Sequence, residues 1–122
     1  DIIHSQPAYV AKPNAALSTD GYAAWAINRA NRAPRVYVGA NDGMLHVFDA
    51  TSGTETSGKE VYAYIPSILI GELDRLAGRP YEHHYFVDGQ LSVADAYIDK
   101  TGGSSKAWRT VLVGGLGAGG KG

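Results

Sequence analysis

The chain has 122 residues, 44% hydrophobic and 19% charged, with 11 basic and 12 acidic side chains giving a formal net charge of −1. This is globular composition with room for one domain, and it lacks the basic surplus of a nucleic-acid or anionic-membrane binder. Cysteine is absent, which excludes disulfides and thiolate metal sites, and no apolar run approaches the ~18 residues that a membrane-spanning helix requires.

Residues 2–10 alternate weakly around Pro7, which predicts a short edge-type strand over 8–11. Residues 12–20 form a polar loop with Pro13. Asp20 is placed to cap a helical segment over 21–30, where Tyr22, Trp25, Ala26 and Arg29 recur at helical spacing, and Pro34 ends it.

Residues 35–53 spell out strand, turn, strand, turn. Val36 and Val38 point to one side and Arg35, Tyr37 and Gly39 to the other; Asn41, Asp42 and Gly43 accept positive φ; Leu45 and Val47 resume the alternation. Asp49 then opens a second turn, in which a carboxylate accepts backbone N–H groups and Gly53 takes the left-handed position.

A polar loop over 51–59 precedes a strand over 60–65, with Val61, Ala63 and Ile65 on one face. Pro66 stops the ladder and suits the first turn of a helix over 67–77, which has Ile65, Leu69, Leu73 and Leu76 along one stripe. Gly78 and Pro80 terminate that helix. A short strand over 81–88, a turn at Asp88, Gly89 and Gln90, and a longer strand over 91–98 predict a second hairpin. In the longer strand Leu91, Val93 and Asp95 face away from Ser92, Ala94 and Ala96. After a turn over 99–105, residues 107–113 form a strand apolar enough to be buried on both faces, and a glycine-rich exit runs over 114–122.

The pattern Val38-Gly39-x-Asn41-Asp42-Gly43-x-Leu45-x-x-x-Asp49-x-x-x-Gly53 is similar to the blade signature of quinoprotein-dehydrogenase-like β-propellers. Four further stretches add to it: Asp1-Ile-Ile-His-Ser-Gln-Pro7, Tyr62-Ala-Tyr-Ile-Pro66, Tyr85-Phe-Val-Asp-Gly89 and Trp108-Arg-Thr-Val-Leu-Val-Gly-Gly-Leu-Gly117. Together the five resemble the C-terminal propeller of the PilY (PilC) family of type IV pilus biogenesis and tip-adhesin proteins, over nearly the whole chain. The fold this implies is mainly β: one to two blades of an incomplete β-propeller with two short inserted helices. About seven strands make less than two blades of four, and a propeller closes only with at least ~4 blades. Residues 1–122 are therefore expected to be a single segment of a larger propeller domain, starting in mid-pattern and stopping in a glycine tract. Such a segment needs the remainder of its parent, or copies of itself, to cover its cut edges.

The resemblance implies a non-enzymatic role in pilus assembly, twitching motility and attachment to host or abiotic surfaces. It implies a location at the cell surface or pilus tip of a Gram-negative bacterium, after export through the outer membrane, with pilus proteins as partners. The segments over 12–34 and 67–84 are expected to lie outside the sheets and to present binding surface. The other reading is a fragment of a quinone-cofactor dehydrogenase propeller. Its blades carry a docking tryptophan four residues after the glycine matching Gly53, where this chain has Ser57, leaving Tyr62 or Tyr64 for blade contact.

Candidate chemistry is sparse. The exit from Gly115 through Gly120, Lys121 and Gly122 imitates a phosphate loop, yet Gly122 stands where Ser or Thr would hold Mg²⁺ and no helix follows. His4, His46, His83 and His84 lack zinc-site spacing, and the adjacent pair point to opposite faces of a strand. Asp88, Asp95 and Asp99 do not match a calcium loop. PilY-type propellers often carry such a loop elsewhere, so the resemblance implies calcium in the parent and no cofactor or metal ligand in this segment. No nucleophile motif is present. Asn41, Asp42, Gly43, Asp49 and Gly53 are read as structural turn residues. The tyrosines, with Trp25 and Trp108, are read as packing between blades and helices before a binding face.

Overall fold

The computed structural model describes residues 1–19, 21–100, 102–103 and 105–120. Four strands form one antiparallel sheet in chain order: β1 (Ala8–Val10), β2 (Arg35–Gly39), β3 (Leu45–Asp49) and β4 (Glu60–Tyr64). Each is joined to the next by neighbour pairing, which is the meander of a propeller blade. Two longer strands, β5 (Leu91–Ile98) and β6 (Ala107–Gly114), pair with each other in a separate antiparallel sheet. The fold is mainly β, with no closed barrel among the described residues.

The two sheets meet face to face. Pairing across β5 and β6 puts Leu91, Val93, Asp95 and Tyr97 on the same side as Gly114, Leu112, Thr110 and Trp108. Leu91 and Leu112 line one gap with Leu45 and Tyr64 of the first sheet, while Thr110 and Leu112 line another with Val10 and Tyr37. Tyr64, one of the two candidates for the missing tryptophan's place, thus borders the second sheet.

The register sets the facing of β3. Tyr37 pairs with Val47 and Gly39 with Leu45, so Leu45 and Val47 share the face of Tyr37 and Gly39, opposite Val36 and Val38. Val38 and Val47 are both buried, because β2 and β3 are the inner strands of the sheet, each flanked by a neighbour on both sides. Strand β4 departs from the expected single face of Val61, Ala63 and Ile65. Pairing passes from Val47 with Tyr62 to Phe48 with Glu60, which leaves Val61 as an extra bulged residue, and all five β4 residues are exposed.

The helix α1 (Tyr22–Ile27) forms within the expected segment. Its N-cap is Gly21 in the left-handed region, at φ 75°, and the proposed cap at Asp20 lies outside the described residues. The stretch Ser67–Ala77 is a 3-10 helix rather than the expected α-helix. Gly71 in its middle lowers α propensity, and Leu69 is the one fully buried side chain of the stripe, with Leu73 partly buried and Leu76 at the surface.

Residues 81–88 are not a strand, and the second hairpin is β5 with β6 instead. The segment follows a cis Arg79–Pro80 bond and spends its backbone hydrogen bonds on loops rather than on a ladder. Phe86 N–H donates to Asn41 Oδ1, Val87 N–H to the Ala40 carbonyl and Asp88 N–H to the Leu116 carbonyl. Six strands are therefore described where about seven were expected from alternation alone. Strand β6 is half-buried rather than buried on both faces, and Val113 near its end is 62% exposed, since the first sheet covers one side.

The hydrophobic cluster sits where these loops converge: Leu69, Phe86, Val87 and Leu116 are buried together, with Leu45 and Leu73 packed against them. The core thus caps one end of the sheets.

Candidate functional site

Asn41, Asp42 and Gly43 build the β2–β3 turn, but each does something different. Gly43 alone of the three has positive φ, at 90°. Asp42 Oδ1 accepts the Met44 N–H at 3.1 Å, closing an Asx-type turn. Asn41 is buried, its carboxamide oxygen holds Phe86, and its own N–H donates to the Asp1 carbonyl at 2.8 Å. Alternation and turn chemistry could not reveal this tie, because both partners lie far along the chain.

Asp49 organises the second turn. Its Oδ1 accepts the Thr51 N–H at 2.9 Å and a guanidinium N–H of Arg35, its cross-strand partner, also at 2.9 Å. Gly53 has φ 72°. Hydrogen bonds from Thr51 and Thr56 hold the Asp49 carboxyl down to about 2. A depressed carboxylate adds stability above its ordinary range and loses it as pH falls through the folded value, so this turn persists until strongly acid conditions.

A knot at the end of the first sheet joins segments distant in sequence. Ser5 Oγ accepts the Gly39 N–H at 2.9 Å, and Asp88 accepts from the His4 N–H at 3.2 Å and meets His4 Nδ1 at 2.6 Å. Gln90 Nε2 donates to the His4 carbonyl and His83 pairs with Asp1 at 3.1 Å. Burial pushes the Asp88 carboxyl up, but the hydrogen bonds and charge of His4 outweigh it and hold the group below its ordinary range. Asp88, Asp95 and Asp99 are neighbours in sequence, but the structure gives Asp88 and Asp95 separate jobs. Asp95 accepts from the Tyr22 hydroxyl and the Thr110 hydroxyl, each at 2.6 Å.

That second network fastens the segment over 12–34 to the β5–β6 sheet. Arg32 donates to the Ala11 carbonyl and, at 2.7 Å, to Thr110 Oγ1, and Ala15 N–H donates to the Tyr22 hydroxyl at 3.1 Å. Tyr22 packs edge-on to Trp108 at 4.8 Å, with Trp25 at 5.4 Å from Tyr22 and Tyr97 at 5.5 Å from Trp108. These aromatics serve packing. The segment otherwise lies at the surface and, among its described residues, is anchored by one buried side chain, Tyr22; the 3-10 helix is anchored in the same manner by Leu69.

Among the described residues, a groove of about 460 Å³ lies between the 3-10 helix and the glycine exit. Ile68, Glu72 and Arg75 form one wall and His83, His84 and Tyr85 another. Gly117–Gly119 forms a short 3-10 turn there; Lys121 and Gly122, on which the phosphate-loop pattern depends, lie outside the described residues. Gly119 lies against the Phe86 backbone, so its missing side chain serves close packing of two chain segments. Among the described residues, no three His, Asp or Glu side chains are arranged to hold a metal ion, and no helix is long and apolar enough to cross a membrane.

A family model described as the PilY1 beta-propeller domain matches residues 1–122. The chain is 49% identical over 129 aligned residues to a type IV pilus biogenesis factor PilY1 homolog of Xylella fastidiosa, covering 100% of this chain and 10% of that protein. It is 46% identical over 135 residues to the type IV pilus biogenesis factor PilY1 of Pseudomonas aeruginosa, again covering 100% of this chain and 10% of that protein. Among solved structures, the C-terminal domain of Pseudomonas aeruginosa PilY1 superposes with a TM-score of 0.54 at 47% identity, over 82% of this chain and 16% of that one. The chain spans about a tenth of the length of these curated relatives.

Proposed function

We propose, on the premise that the chain belongs to the PilY1 β-propeller family, that it is a non-enzymatic blade segment of a type IV pilus biogenesis factor. In this reading the parent acts at the cell surface or pilus tip of a Gram-negative bacterium. It supports pilus assembly, twitching motility and attachment to host or abiotic surfaces. The observation that carries the reading is a family match over the whole chain, joined to a four-stranded meander that faces a second sheet of two strands. The chain's own contribution is mechanical: a stiff blade from which the segments over 12–34 and 67–84 project, the latter walling the 460 Å³ groove. Calcium, which the family resemblance implies for the parent, has no assigned ligand in this segment.

Residues 1–122 are in this view one segment of a larger domain. A two-stranded sheet is marginal by itself, and among the described residues β6 pairs on one side only, so further strands of the parent propeller are expected to complete it. Purified alone, residues 1–122 are expected to self-associate, eluting from size-exclusion as more than a monomer. A monodisperse, cooperatively melting monomer would contradict the segment reading.

The surface role has its own test in cells. In a piliated strain whose single copy of the parent carries Ile68→Ser, Glu72→Ser and Arg75→Ser, surface residues of the groove wall that leave the buried Leu69 and Leu73 in place, pilus number is expected to hold while surface attachment falls. Unchanged attachment would remove this groove as a binding surface, and loss of pili would make the segment a part of assembly instead.

A further inference from the structure

His46 projects from β3 with a carboxylate at each ring nitrogen. Its Nδ1 lies 2.6 Å from Glu60 Oε1 and its Nε2 lies 2.9 Å from Asp42 Oδ2. A neutral imidazole carries one N–H, so in that form one nitrogen would present a lone pair to a carboxylate; the imidazolium donates to both. The side chain is largely enclosed, at 18% exposure, whereas its two partners are at 43% and 45%.

The backbone has been adjusted to make this contact. In an unbroken ladder Glu60 would oppose Asp49 and point to the other face. The bulge at Val61 places it opposite Phe48 instead, on the side that His46 occupies. Phe48 stacks on the imidazole at 6.1 Å and 19°, and Val38 and Ala63 are the ring's neighbours on β2 and β4. Asp42 from the turn and Glu60 from β4 are the charged groups that face it.

We propose that His46, Asp42 and Glu60 form an acid-closed clamp that fastens the edge strand β4 to the β2–β3 turn and releases it when the imidazole loses its proton. Asp42 is also tied to Met44 N–H, so Glu60 is the arm that lets go. Strand β4 runs through Ile65 and Pro66 into the 3-10 helix Ser67–Ala77, so the clamp sets how firmly one wall of the groove is held. Burial lowers the proton affinity of His46, but the hydrogen bonds and charges of Glu60 and Asp42 outweigh it and raise the group above its ordinary value. A group raised in this direction stabilises fully below the free imidazole's value, and its contribution is lost as pH rises through the folded value.

The test is exchange mass spectrometry on the full-length protein that contains this chain, between about pH 5 and 8. Histidine C2-hydrogen exchange reads the titration of His46, and amide exchange, corrected for its intrinsic pH dependence, reads the protection of β4. Protection is expected to fall through the pH at which His46 titrates. Each tenfold excess of His46 proton affinity over a free imidazole should appear as a tenfold difference in protection across the titration, as linkage requires. In Glu60→Gln the titration should move down and the pH dependence of β4 should shrink. Should that variant not fold, the wild-type protein alone decides. His46 titrating at or below the free value, or β4 protection flat across the range, overturns the clamp.

Discussion

Phe86→Ala is expected to destabilise the domain by about 3–5 kcal/mol, the range for removing a fully enclosed aromatic ring. Phe86 is 2% exposed and belongs to the cluster that joins strand, 3-10 helix and glycine exit through Leu45, Leu69 and Leu116. The ring fills a space bounded by loops tied to one another through Asn41, Asp88 and Leu116, so the surround has little freedom to close on a cavity. Urea unfolding of the parent's propeller domain measures the loss, and Phe86→Leu, which keeps most of the volume, should cost distinctly less. A cost under about 1 kcal/mol for the alanine variant would show that the cluster is peripheral to stability.

Gly39→Val is expected to cost about 3 kcal/mol or more, at the upper end of what overpacking does. A Cβ at position 39 would run into the carbonyl oxygen of Val87, and would stand 2.8 Å from Val87 Cγ1 and 3.1 Å from Ser5 Oγ. Gly39 does not have a left-handed backbone, so the demand is for space. Residues 86–88 cross the end of the sheet at this point, and the obstruction is main chain that cannot rotate away. The double variant Gly39→Val with Val87→Ala should therefore recover little of the loss in the same urea measurement. Substantial recovery would mean that the Val87 side chain, and not its carbonyl, sets the limit.

Both variants strike the region least legible in the sequence. Residues 81–88 read as a strand because Tyr85, Phe86 and Val87 have strand propensity, yet propensity does not say where backbone groups bond. Here the N–H groups of Phe86, Val87 and Asp88 find Asn41, Ala40 and Leu116, all distant in sequence and 45 positions away for the first of them. The stripe from Leu69 to Leu76 reads as an α-helix for a similar reason. Periodicity reports which residues could share a face, and the structure covers only the first part of that face. His46 and Glu60 carried no local signal, because their contact depends on a bulge that shifts register by one residue.

What the amino-acid order decided by itself is local: the hairpin Arg35–Gly39 with Leu45–Asp49, the Asp49 and Gly53 turn, the alternation of Leu91–Ile98 and membership in a mainly β, blade-forming family. Those features rest on φ preferences and on hydrogen bonds spanning a few residues, so neighbouring positions contain the information. Which face of β3 meets the second sheet, which strand pairs with β5, and why Asn41, Asp88 and His46 stand where they do were decided by tertiary structure alone. Each is a competition among distant partners for the same buried hydrogen-bonding groups and the same space, and it is resolved only when the whole set is satisfied together.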